Sequence, residues 1–268
     1  MPLRLTPTFR AALVASDRPL AGMWVCSGSP VAAEIAAGSG LDWLLIDMEH
    51  SAASLETVLT LLQVTAAYPV TPVVRVPWND PVVIKQVLDL GAQNLIVPMV
   101  SSAAEARAAV AATRYPPGGV RGVGSALARS ARWNRVDGYL AGAGDQVSLT
   151  VQIETTAGVA AAAEIAAVEG VDAVFVGPSD LSASMGLLGQ QSHPDVVAAV
   201  HAVFAACRDA GTPVGVNAFD PAVAKAYLDA GADFVAVGAD VALLARASEA
   251  LAARFVTGRS LSEERESY

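Results

Sequence analysis

PVVRVPWNDPVVIKQVLDLGAQNLIVPMV, residues 72–100, holds one complete unit of the fold. Its two ends, PVVRV and NLIVPM, are apolar runs without polar alternation, the composition of strands buried on both faces of a parallel sheet. Between them Asp80 precedes Pro81 and Gly91 follows the last apolar turn, as at the two ends of a capped helix. The same unit recurs outward in both directions. GMWVC, DWLLID, LTVQIE, AVFVGP, PVGVN and DFVAVG are further strand-like runs, separated by Ala-rich segments of helical composition. Strands alternating with helices, with no linker between them, predict an α/β fold of the (β/α)8 TIM-barrel kind. Residues 1–257 are expected to form that single domain and residues 258–268 a polar C-terminal tail. One connection breaks the rhythm: about thirty residues from Tyr115 to Gln146 precede the fifth strand. A connection of that length is a functional loop or a surface excursion with short helices of its own.

Composition narrows the partners. A formal net charge of −9, with no basic arm or stripe, excludes nucleic acid and anionic membrane as main partners. No apolar stretch has the length of a membrane span or of a secretory signal. The two cysteines, Cys26 and Cys207, are far apart and build no disulfide framework, which fits a reducing, cytoplasmic setting.

Barrel enzymes carry their chemistry at the C-terminal ends of strands. Read in order, those ends supply Trp24 and Cys26, then Asp47, Glu49 and His50, then Arg75, then Pro98 and Met99, then Gln152 and Glu154, then Asp180, then Asn217, and finally Gly238 and Asp240. Glu154 and Asp180, without cysteine beside them, suit a hard divalent cation better than structural zinc. The blander alternative is that each is a helix cap or a solvated strand end. Arg75, inside an apolar run, needs an anion or a carboxylate at the barrel mouth, or else an internal ion pair. His50 follows Asp47, and an acid holding one ring nitrogen would orient the other as a base. His193 reads as a pre-helical loop residue and His201 as a packing or surface residue. The only lysines, Lys85 and Lys225, lie in helical segments, which disfavours a Schiff-base mechanism.

DWLLIDMEH, PVVRVPWNDPVVIKQVLDLGAQNLIVPMV, TRYPPGGVRGVGSALARSARWN, VQIET, VEGVDAVFVGPSDLSASMG and FVAVGAD together resemble the HpcH/HpaI family of class II, metal-dependent pyruvate aldolases. This is the 4-hydroxy-2-oxoheptanedioate and 2-dehydro-3-deoxyglucarate aldolase group. The resemblance spans about Gly22 to Phe255. It implies a phosphoenolpyruvate/pyruvate-type barrel whose last helix is exchanged between subunits, in a homo-oligomer that is a hexamer built from dimers. It implies reversible cleavage of 4-hydroxy-2-oxo acids to pyruvate and an aldehyde, with Mg2+, Mn2+ or Co2+ held by Glu154 and Asp180. Arg75 would stabilise the enolate, and His50 paired with Asp47 would be the base. Asp89 would approach the site of a neighbouring subunit. Gln152 would lie beside the metal, and the backbone around Gly177, Ser179 and Asp180 would hold the pyruvate carboxylate. The loop RGVGSA, residues 121–126, would frame the mouth with Trp24.

Two positions depart from the family pattern. Met48 stands where glycine is common, followed by SAAS rather than an APN stretch, which alters the rim beside His50. Asn217 stands where the position is often apolar. Both bear on the aldehyde accepted. Competing readings are another enolate reaction on the same site, such as oxaloacetate decarboxylation or citryl-type cleavage, and a non-catalytic binding barrel. A complete ring of acids, base and arginine argues against the last.

Overall fold

The structure is a computed structural model that describes residues 3–256; the polar tail expected at 258–268 lies outside the described residues. All eight apolar runs are strands: β1 (Leu20–Val25), β2 (Trp43–Asp47), β3 (Thr71–Arg75), β4 (Asn94–Val97), β5 (Ser148–Ile153), β6 (Ala173–Val176), β7 (Val214–Asn217) and β8 (Phe234–Ala239). They pair in sequence order, and parallel pairing of β1 with β8 closes the barrel.

The lack of polar alternation has a direct cause, since both strand faces are buried. On β2, Trp43 and Leu45 point into the barrel while Leu44 and Ile46 pack against the surrounding helices. The interior is filled with aromatic rings. Phe175 stacks on Phe234 with centroids 5.9 Å apart, and Trp43 sets an edge against each. Those rings demand missing side chains opposite them. A Cβ on Gly22 would stand 2.4 Å from the Trp43 indole, and one on Gly215 would stand 2.3 Å from the Phe234 ring. Filling the middle with rings leaves the polar side chains to the strand ends.

The helix Pro81–Asp89 starts where the sequence predicts: Asp80 Oδ1 accepts from the Val82 and Val83 amides, and Ile84, Val87 and Leu88 are buried. A further helix, Phe9–Ala15, is too short for a periodic signal and was not foreseen. It closes the N-terminal end of the barrel. Phe9 is fully buried against Trp43 and Phe234, and Asn94 Oδ1 and Ser148 Oγ accept from the Phe9 and Arg10 amides.

The long connection is an excursion with three short helical turns, at Arg129–Ala131, Tyr139–Gly142 and Ala143–Gln146. It leaves the end of helix Ala103–Thr113 and returns to the start of β5, so it emerges at the N-terminal end of the barrel. The expectation that residues 121–126 frame the mouth with Trp24 is therefore wrong within one chain. Trp24 lies at the C-terminal end of β1, whereas Arg121 pairs with Asp89 and Gly122 sits against Lys85. The last helix, Asp240–Phe255, buries none of its residues.

Phe9→Ala should lower stability by about 3–5 kcal/mol, the cost of emptying a buried aromatic site, measured by denaturant unfolding. A loss below about 1 kcal/mol would mean the N-terminal helix does not plug the barrel.

Candidate active site

β2 and β3 run in a register that sets Asp47 directly beside Arg75. Both side chains turn inward at the last inward position before the mouth. Asp47 Oδ1 accepts from Arg75 Nε at 2.8 Å and Oδ2 accepts from Nη2 at 3.0 Å. Glu49 Oε2 lies 2.8 Å from Nη1 as an ion pair, off the line of a hydrogen bond. The guanidinium covers the Trp24 ring at 4.3 Å from its centroid, and Trp24 Nε1 donates to Asn217 Oδ1 at 2.7 Å. Asp47 and Arg75 are almost wholly buried. Taking such a charge out of water costs several kcal/mol unless it is paired and hydrogen-bonded, and here two carboxylates and an indole face meet that need. Arg75 has five N–H donors; Asp47 takes two, so Nη1 keeps hydrogens to direct into the mouth.

His50 is held differently from the expectation. Both Asp47 oxygens are engaged by Arg75 and by the backbone amides of Glu49 and His50, at 3.0 and 3.2 Å. Asp47 therefore shapes the turn that carries His50 and does not grip its ring. The acid near the ring is Glu49, whose Oε1 is 4.0 Å from Nε2, and the imidazole itself is 66% exposed. Burial raises the Glu49 carboxyl above its usual range, with Asp47 and Asp180 adding to the shift and Arg75 and His50 opposing it. The Met48 side chain, partly exposed, packs against the apolar layer between strands and helices.

Across the mouth, Glu154 follows β5. Its Oε1 accepts from the Met99 amide at 2.7 Å, and Gln152 Nε2 donates to Oε2. Met99 reaches this position with a left-handed backbone, φ 57°. Gly177 allows the pair to sit there, because a Cβ would come within 2.6 Å of Glu154 Oε2 and 2.9 Å of Gln152 Nε2. Burial pushes the Glu154 carboxyl up to about 7; the Met99 amide opposes this, and Asp180 and Glu49 reinforce it. Asp180 is exposed on the first turn of the short helix Pro178–Ser184. Ser179 beside it accepts from Gln191 Nε2 at 3.2 Å through its hydroxyl.

These residues form two clusters at the mouth. Asp47, Glu49, Arg75, Trp24 and Asn217 form one cluster, and Gln152, Glu154 and Gly177 another. Electrostatic coupling of Glu49 and Glu154 to each other and to Asp180 links them. The mouth thus holds two carboxylates clasped to one guanidinium, with Glu154 and Asp180 coupled to Glu49. Gln152 Oε1 is buried there without a hydrogen-bond partner. Among the described residues no three His, Cys, Asp or Glu side chains converge on a metal position, so a cation here would take two protein carboxylates and complete its shell with other oxygens. That donor set, acid-rich and oxygen-only, fits a hard divalent ion. Asp89 stands apart, at the far end of helix Pro81–Asp89. Glu49 is the residue whose part sequence reading understated, although an acid between Asp47 and His50 was the available signal.

Other chemistries find no footing. Burial, and then Asp47 and Asp240, push the Cys26 thiol up to about 12, which leaves it protonated and a poor nucleophile. Lys225 is exposed and paired with Asp229 on a helix outside the barrel, and Lys85 lies on helix Pro81–Asp89.

Fold and mouth define a class: a barrel enzyme whose strand ends concentrate acids around an arginine where a substrate oxyanion can form. The chain belongs to the HpcH/HpaI aldolase/citrate lyase family, whose model matches residues 20–247. It is 55% identical over 255 residues to a 4-hydroxy-2-oxo-heptane-1,7-dioate aldolase of Shigella flexneri, covering 95% of each chain. Among solved structures it is similar to an HpcH/HpaI aldolase/citrate lyase family protein of Burkholderia cenocepacia J2315. That match has 42% identity and a TM-score of 0.88, covering 92% of this chain and 98% of that one. An HpcH/HpaI aldolase of Desulfitobacterium hafniense DCB-2 matches with 29% identity and a TM-score of 0.84, over 96% and 100% of the two chains.

A carboxyl raised to about 7 on folding makes the native state bind a proton that the unfolded chain has released, so its contribution to stability falls as pH rises from about 4.5 to 7. In EDTA, Glu154→Gln should therefore gain stability relative to the unsubstituted protein between pH 5 and pH 8, by about 3 kcal/mol at most. Denaturant midpoints at the two pH values measure it. A difference that stays flat or reverses would show that Glu154 is not held in this way.

Proposed function

We propose that this protein is a class II aldolase that reversibly cleaves 4-hydroxy-2-oxo acids to pyruvate and an aldehyde. The observation that carries the reading is a mouth in which Asp47 and Glu49 clasp the buried guanidinium of Arg75 while Glu154, coupled to Glu49 and Asp180, is raised to about 7. A mouth this rich in carboxylates favours a bound cation. A divalent ion, Mg2+, Mn2+ or Co2+, held by Glu154 and Asp180 would supply Lewis-acid stabilisation of negative charge on the substrate oxygens.

The chain's own groups do the rest. In cleavage the C3–C4 bond breaks, its electron pair passes into the pyruvate enolate, and the C4 hydroxyl gives up its proton as the aldehyde forms. Arg75 donates to the oxygen on which that charge collects, and because Asp47, Glu49 and Trp24 fix the guanidinium beforehand, no reorganisation is needed. His50, exposed on the turn after β2, moves the proton: from the hydroxyl in cleavage, from the pyruvate methyl group in the reverse direction. Gln152 and the backbone around Gly177, Ser179 and Asp180 orient the pyruvate carboxylate. Trp24, tied to Asn217, walls the side where the aldehyde departs.

The working unit is a homo-oligomer, a hexamer built from dimers. Two features support this. The last helix has no fully buried residue and exposes Leu243, Leu244, Leu251 and Phe255, an apolar surface suited to exchange between subunits, although its first turn is tied to its own barrel through Ala242 and Asp240. Asp89 and the 121–126 loop lie at the barrel end opposite the mouth, so they can serve a site only in another copy. We assign residues 1–257 to one barrel domain and the protein to the cytoplasm.

A pyruvate-release assay across a panel of 4-hydroxy-2-oxo acids, starting with 4-hydroxy-2-oxo-heptane-1,7-dioate, tests the reading with each metal and with EDTA. Activity should need the metal and survive borohydride with pyruvate. His50→Ala and Arg75→Ala should each lose about 1,000-fold with the fold intact. Borohydride trapping of a lysine adduct, or near-native rates in either variant, would overturn the mechanism.

A further inference from the structure

The proposed mechanism leaves one buried charge unused. Arg121, in the excursion, has a side chain with no exposure at all. Its Nη2 lies 2.8 Å from Asp89 Oδ1 and its guanidinium covers the Tyr115 ring at 4.7 Å. Nε and Nη1 are buried without a hydrogen-bond partner, as is the Tyr115 hydroxyl. Burial works against the charge, but Tyr139, Asp89 and Tyr115 outweigh it and keep the guanidinium protonated. The backbone is fastened as well: the Val120 amide donates to Ala111 O and the Arg121 amide to Arg114 O, pinning the loop to the helix before it.

Stability does not account for this arrangement. A buried ion pair replaced by apolar side chains of similar volume is often neutral or stabilising, and two orphaned donors add a further cost. What the pair does accomplish is geometric. Asp89 remains 28% exposed while its partner is sealed, so the carboxylate is anchored from inside yet reaches the surface. Asp89 Oδ2 lies beside Gly124, and the loop crosses there as Gly122, Val123 and Gly124, with Val123 exposed. The neighbouring Arg129 is occupied elsewhere, donating to Leu90 O.

We infer that Arg121 is a positioning residue for Asp89, holding its carboxylate out toward the mouth of a second copy of this chain. This rests on the reading that Asp89 serves a neighbour's site. Arg121 touches no substrate; it acts through the carboxylate it anchors, across the subunit boundary.

The test combines a double-mutant cycle with mixed oligomers, all read by pyruvate release from the best substrate. Arg121→Met should lower kcat about 100-fold, the effect of misplacing a group by about an ångström, with KM changed less than about 3-fold. In an Asp89→Asn background the same change should add less than about 3-fold, because the two residues act as a unit. Co-expressed His50→Ala and Arg121→Met subunits should regain activity that neither has alone, since some sites then combine an intact His50 with a neighbour's intact Arg121. Hybrids of His50→Ala with Asp89→Asn serve as the control. If that control regains activity while the Arg121 hybrids stay silent, or if Arg121→Met keeps its full effect on Asp89→Asn, the inference is overturned. If the control also stays silent, the trans role of Asp89 fails and the inference with it, although the aldolase reading stands as long as the unsubstituted enzyme releases pyruvate. Should Arg121→Met fail to fold, Arg121→Lys enters the same cycle and hybrids, with a loss of about 10-fold expected from replacing a planar fork by a point charge.

Discussion

Arg75 is a permanent positive charge held inside a barrel otherwise filled with aromatic rings, and the mouth is organised around keeping it there. Asp47 grips it from the adjoining strand, Glu49 from the turn that follows, and Trp24 from beneath. Each of these contacts fixes something else in turn. Asp47 also folds the turn carrying His50, and the Trp24 indole is tied to Asn217 on the far side of the barrel. A fixed donor is worth most when charge develops late in a reaction, because its orientation has been settled by folding. The same clasp explains why the opposite wall is left electrostatically incomplete. Asp47 and Glu49 are the carboxylates committed to Arg75, and Glu154 is left to the Met99 amide and the Gln152 side chain.

The two ends of the barrel have separate chemistry. The C-terminal end collects the acids and His50, to which we assign the proton transfer. The N-terminal end is shut by Phe9 and overlaid by the excursion, yet it holds a second buried arginine clasped to a half-exposed acid. An oligomer that brings the N-terminal end of one barrel to the mouth of another gives both ends a purpose. It would make activity depend on assembly.

Much of this was legible in the sequence, for identifiable reasons. The strands could be read because burial on both faces removes polar alternation, and the ring because Asp47, Arg75, Glu154 and Asp180 interrupt or end apolar runs. The helix Phe9–Ala15 was hidden by its length, since seven residues give no periodicity. The partner of Asp47 was hidden by register: the choice between Arg75, 28 residues away, and His50, three away, depends on how β2 and β3 align. Sequence proximity favoured His50, and strand pairing decided for Arg75. The loop at 121–126 was set at the wrong end because a glycine-rich motif does not say whether it follows a strand or a helix. Arg121 gave no sign of burial in a loop that is otherwise glycine and small residues.

The central claim is that His50 moves a pyruvate methyl proton at a site whose carboxylates require a cation. Proton exchange measures this without any aldehyde partner. Pyruvate incubated with the protein and Mn2+ in deuterated water should lose its methyl proton signal by nuclear magnetic resonance. Addition of EDTA should stop the loss, and His50→Ala should not support it. Exchange that continues in EDTA, or at an undiminished rate in His50→Ala, would contradict the account.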